Sequence, residues 1–231
     1  MNYRLKQVFK SFKPLYVYIL IQVMVVFVAF YIDFLQSAGY MKTQFISISS
    51  ENLIMTTIAG IMCIIIYRGK VTRIFGSSIT KQLISVKFTL VLRLVIYSVL
   101  IRVAVILPAL IIYFVNKNFA DGFVLEANGT ADVGISIVSA CIVAPIVEEI
   151  LFRGIIIKDL LDYVSFRTAN ILQAIVFALL HVGVLQMISS FMFGYFQGLL
   201  VQKYKSIGVT IILHIMYNSV AIFALLYKYL S

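Results

Sequence analysis

Charge is scarce in this chain. Only 12% of its 231 residues are Asp, Glu, Lys or Arg, against about 25% in an average soluble domain. Hydrophobic residues make up 62%, and the mean hydropathy is +1.05. That balance excludes a soluble globule and predicts an all-α, polytopic membrane protein. Cysteine is nearly absent. Cys63 and Cys141 both lie in apolar stretches, and their spacing excludes a disulfide framework or a thiolate metal site. Strand patterns, low-complexity runs and internal repeats are missing. The first apolar stretch, 14–32, has 19 uncharged residues. No small-residue cleavage pattern follows it, so it reads as a retained span rather than a leader.

Acidic residues are rarer than basic ones, nine against 19, for a net charge of +10. Nucleic acid is not the explanation, because the basic residues are sorted by position. Arg4, Lys6, Lys10 and Lys13 precede the first span, and Arg68, Lys70, Arg73, Lys81 and Lys87 fill the second connection. Arg153, Lys158 and Arg167 form a third group, and Lys203 and Lys205 a fourth. Asp33, Lys42 and Glu51, then Lys117, Asp121, Glu126 and Asp132, mark the intervening connections. This positive-inside bias predicts a cytoplasmic N-terminus and, with seven spans, an external C-terminus. The basic loops suit contact with anionic headgroups of the bilayer.

The expected spans are 14–32, 52–67, 94–115, 133–149, 168–185, 186–202 and 206–227. They form one membrane domain over 1–231, with 1–132 free of chemical motifs and 133–231 carrying them. Arg102 falls inside the third span, and 82–102 is an alternative interfacial helix. Between Ile150 and Tyr163 the pattern turns amphipathic, which predicts a segment running along the cytoplasmic surface. Gly194 and Gly198 form a small-xxx-small pair suited to close helix packing.

Ionisable residues inside spans are costly and so are functional candidates. After the third span they are Glu148, Glu149, His181 and His214, and the chain has two histidines in all. The glutamates end a run of 15 uncharged residues, Val133 to Val147. On a helix, residues four apart share a face, so Glu149 stacks on Arg153 as a structural ion pair. Glu148 points elsewhere with no local cation. Pro145 would kink the helix and aim that carboxyl inward. His214 and Asn218 share another face. A carboxylate can take a proton from water, an imidazole can hold it, and further donors can serve an oxyanion. Two histidines and a glutamate can equally hold zinc with an open position. At 1.5 Å per residue, Glu148 lies about 22 Å from the outer end of its span, and His214 roughly 12 Å from its inner end. His181 comes out about 20 Å from Thr168, so convergence does not follow from depth. HExxH, GxSxG and a pair of intramembrane aspartates are all missing, which excludes those protease chemistries.

Three stretches carry a resemblance. "EEILFR" (Glu148–Arg153) fits EExxxR, "FALLH" (Phe177–His181) fits FxxxH, and "HIMYN" (His214–Asn218) fits HxxxN. Their order and intervals resemble the CPBP family of intramembrane proteases, which includes the CAAX-processing and bacterial Abi proteins. The likeness covers about 144–219, and the N-terminal half matches nothing comparable. It implies an all-helical fold and an endopeptidase acting on a membrane-bound peptide or protein. It implies that Glu148 and His181 activate water, that His214 and Asn218 stabilise the oxyanion, and that Glu149 and Arg153 support them. It leaves the cofactor open between none and zinc held by Glu148, His181 and His214. It also implies a multi-pass protein of a bacterial plasma membrane. A non-enzymatic membrane partner, such as a bacteriocin self-immunity protein or a regulator of a membrane sensor, is the competing expectation. The intact set of four polar residues favours the enzyme.

Overall fold

The computed structural model describes residues 3–24, 48–115, 138–181 and 184–230, and all of its regular elements there are helical. Helix α1 spans Tyr3–Ser11 and α2 spans 13–24, with Pro14 in its first turn, where a missing N–H costs nothing. Then follow α3 (Ile48–Phe75), α4 (Ile79–Ile84) and α5 (Phe88–Val115). Helix α6 runs unbroken over 138–160 and is followed by α7 (Phe166–Leu179), α8 (Val184–Tyr204) and α9 (Ile207–Leu230). Among the described residues no helix is long and apolar enough to cross a membrane. The expected spans 14–32 and 133–149 fall partly outside the described residues, and the connection 116–132 wholly so.

Side-chain caps fix several ends. Ser78 Oγ accepts from the Lys81 N–H at 3.2 Å to start α4, and Ser165 Oγ accepts from the Thr168 N–H at 3.3 Å to start α7. Gln82 is the link between α4 and α9. Its Oε1 accepts from the Ile207 N–H at 3.0 Å, satisfying an orphan donor of α9. The alternative interfacial helix over 82–102 does not form. Ser85 to Lys87 interrupt it, and α5 is continuous from Phe88 through Arg102.

The centre of the fold is α6. One apolar cluster takes Leu151, Phe152, Ile156 and Leu160 from it, and a second takes Ile150 and Ile155. A helix that is apolar on both sides is a buried helix. The amphipathic stretch after Glu149, expected to run along a surface, is instead a direct continuation of the helix that carries 138–148. Residues 149–157 are all buried, and only the end near Asp159 and Asp162 reaches the exterior. There Lys70 on α3 pairs with Asp159, a half-exposed bridge that contributes little.

The boundary expected near residue 185 lies earlier. Helix α7 stops at Leu179, so His181 stands just beyond its end rather than within a helix. Its N–H bonds the Ala178 carbonyl at 2.9 Å, and its ring Nδ1 meets the Phe177 carbonyl at 2.8 Å. Those contacts satisfy carbonyls that the last helical turn leaves open.

Candidate active site

The backbone of α6 is wound unevenly. It is π-helical over Ser139–Val143, α-helical over Ala144–Glu148 and π-helical again over Glu149–Ile156. In a π-turn each N–H bonds the carbonyl five residues back. The Ala144 N–H bonds Ser139 in this way. The next donor would belong to Pro145, which has none. The Ala140 carbonyl is thus left for another partner, and Asn218 on α9 donates to it at 2.7 Å. Pro145 was expected to act through a kink. Its missing N–H also frees a carbonyl that ties α6 to the helix bearing His214.

The second π segment holds the carboxylates. Glu149 Oε1 accepts from Arg153 Nη1 at 3.0 Å, and both side chains are fully buried. The same oxygen lies 2.8 Å from His214 Nδ1 and 3.4 Å from Gln197 Nε2. Glu148 Oε2 lies 3.7 Å from His214 Nε2, and its side chain is 26% exposed. The two neighbouring glutamates therefore flank one imidazole, each facing a different ring nitrogen. An ionised carboxylate only accepts, so Glu149 fixes hydrogen on Nδ1 and leaves Nε2 to face Glu148.

Arg153 is held by more than its acid. Its guanidinium carbon sits 4.4 Å from the centre of the Phe177 ring, within cation–π range. A Cβ at Gly194 would come within 3.1 Å of both Arg153 Nη2 and the Phe177 ring. One turn along, a Cβ at Gly198 would collide with the Asn170 amide. The glycine pair does permit close packing of α7 on α8, and it does so around polar side chains.

The structure brings together Glu148, Glu149, Arg153 and His214. His181 is joined to them through Phe177, whose ring lies 4.8 Å from His181 and 6.1 Å from His214. Asn218 shares the α9 face of His214 but bonds Ala140. Arg102 is paired internally. Its Nη2 donates to the Tyr217 carbonyl at 2.6 Å and its guanidinium lies 3.7 Å from the centre of the Tyr217 ring. Tyr217 stacks on Phe193 at 4.3 Å, and Phe193 meets His214 at 4.8 Å.

Neutral amides are what the sequence reading missed. Gln197 donates to the Thr210 carbonyl at 3.0 Å while touching Glu149. Gln173 donates to Asn170 Oδ1 and to the Gly194 carbonyl, both at 2.9 Å. All three amides are completely buried. The available signal was a set of Asn and Gln inside apolar stretches, where polar side chains face other helices. Attention to ionisable groups alone passed over them.

A catalytic zinc takes three protein ligands and keeps one position open. Among the described residues no three His, Cys, Asp or Glu side chains gather into such a group. Glu148, His181 and His214 as arranged here do not form such a ligand set.

An all-helical fold with paired acids on a buried histidine defines the class of site. Residues 131–220 match the family described as Rce1-like, type II CAAX prenyl endopeptidase. A curated Bacillus subtilis (strain 168) protein named "Putative membrane peptidase YdiL" is 31% identical over 87 residues. That stretch is 38% of this chain and 36% of the relative, so the match spans about a third of the relative's length. No solved structure matches. The matched segment contains all three motifs, Glu148–Arg153, Phe177–His181 and His214–Asn218.

Proposed function

We propose that this chain is an intramembrane endopeptidase of the CAAX-protease type, cleaving a membrane-associated peptide or protein with Glu148 as the base. The observation that carries this reading is the placement of His214 between two glutamates of unequal exposure. Glu148 is the one that water can reach. It takes a proton from the attacking water, and His181 orients that water through the ring nitrogen not bound to Phe177. Negative charge then develops on the scissile carbonyl oxygen. His214 donates to it from Nε2, and Glu149 on Nδ1 balances the imidazolium that this requires. The Asn218 amide has two hydrogens, so one serves Ala140 and the other remains for the oxyanion. The proton finally passes to the leaving amine, yielding acid and amine from water and peptide.

The membrane placement belongs to the same proposal. It rests on the hydropathy of the whole sequence and on the sorting of its basic residues, with seven spans and a cytoplasmic N-terminus. The test is a comparison of peptides released from membranes carrying the wild-type chain and Glu148→Ala. Peptides released only by the wild type support the reading. Identical profiles, with both proteins present and folded, overturn it.

A further inference from the structure

A concave groove lies away from the acids, between α5 and α8. It has a volume of about 470 Å³ and is lined by Tyr97, Leu100, Ala104, Phe196, Leu199 and Lys203, among others. The size and apolar walls fit a bound ligand rather than a packing defect. Its walls face outward, since Leu100 is 58% exposed and Leu199 39%. Each of the two helices carries a cation. Lys203 lines the groove, with its Nζ 5.3 Å from the centre of the Tyr204 ring. Arg93 falls on the same stripe of α5, four residues before Tyr97 and seven before Leu100. Both cations are exposed and neither forms an ion pair among the described residues. Among the described residues no carboxylate lines the groove.

We infer that this groove seats one anionic phospholipid, its acyl chain along Leu100, Ala104 and Leu199 and its phosphate against Lys203 and Arg93. Apolar walls alone would accept any lipid. Lys203 in the groove wall and Arg93, one turn before Tyr97 on α5, select a net negative headgroup, as basic pockets between helices do. The seat also bears on the candidate active site. Phe196 lines the groove, and the next residue, Gln197, contacts Glu149. Lipid in the groove therefore braces the turn of α8 that contacts Glu149. The inference rests on the membrane placement proposed above and is independent of peptidase chemistry.

The test uses the full chain purified in detergent and mixed with phosphatidylglycerol or phosphatidylcholine of identical acyl chains. Native mass spectrometry counts bound lipid, and thermal unfolding reports stabilisation. The wild type should retain phosphatidylglycerol and unfold at higher temperature with it than with phosphatidylcholine. Arg93→Gln combined with Lys203→Gln should weaken phosphatidylglycerol about thirtyfold, leaving it no better than phosphatidylcholine. Ala104→Phe, which fills the groove, should weaken both lipids. Equal retention of the two lipids by the wild type, or unchanged selectivity in the double variant, overturns the inference. Membrane fractionation of the same protein separates failure of the seat from failure of the membrane placement.

Discussion

Glu149 and Glu148 are chemically identical neighbours whose surroundings separate them. Glu149 is fully buried on Arg153, Gln197 and His214, whereas Glu148 keeps a quarter of its side chain exposed. Glu149→Gln keeps the shape but leaves the Arg153 guanidinium buried without its counter-charge. Breaking a buried pair in this way costs about 3–5 kcal/mol. Thermal unfolding followed by helical circular dichroism should show that loss. The same variant removes the charge behind His214, so turnover should fall even at temperatures where it stays folded. Full turnover in folded Glu149→Gln would contradict the shared imidazole. The Glu149–Arg153 pair was legible because the residues are four apart on one helix. The approach of His214 was not, because it lies 65 residues further on and depends on how α9 is rotated against α6. Gly194 shows the same limit. Its spacing from Gly198 announced close packing, but only the folded chain shows Arg153 against it. Gly194→Ala should cost about 1–3 kcal/mol by crowding that guanidinium and the Phe177 ring.

Helix α6 sets the geometry through its winding. Pro145 withholds the donor that the Ala140 carbonyl would use in a π-turn, and Asn218 supplies it from α9. This coupling is testable as a double-mutant cycle. In the wild-type background, Asn218→Leu removes this exposed bond and should cost about 0.5–1.5 kcal/mol. In a Pro145→Ala background the backbone has its own N–H again, so the cost should shrink. Unfolding measured for the four proteins decides it. Strictly additive costs would mean that Asn218 does not compensate for Pro145. Most of the elements were legible from hydropathy, including the division of α8 from α9 near Lys205. The π segments were not, because nothing in residue spacing distinguishes a four-residue from a five-residue backbone repeat. The end of α7 was misplaced for a different reason. His181 looks like one more residue of an apolar helix, yet its ring caps the helix instead of extending it.

At the scale of the whole molecule, orientation and chemistry make separate predictions. The sorting of basic residues predicts that the 68–90 connection is cytoplasmic and the 116–132 connection external. Single cysteines introduced at Ser77 and Asn128 of a cysteine-free chain should label from opposite sides in intact cells. Labelling from the same side would refute the orientation. A metal-free mechanism predicts that a chelator leaves turnover unchanged. Activity lost to a chelator and restored by Zn²⁺ would show that the histidines and Glu148 close on a metal in the working enzyme. The comparison that bears most directly on the central claim is turnover of Glu148→Gln beside the wild type. Both should be reconstituted in the same membranes, with folding checked by unfolding temperature. The variant keeps the side-chain shape and removes the base, so it should unfold like the wild type and release no product above background. Folded Glu148→Gln that still cleaves at the wild-type rate would contradict the assignment of Glu148 as the group that activates water.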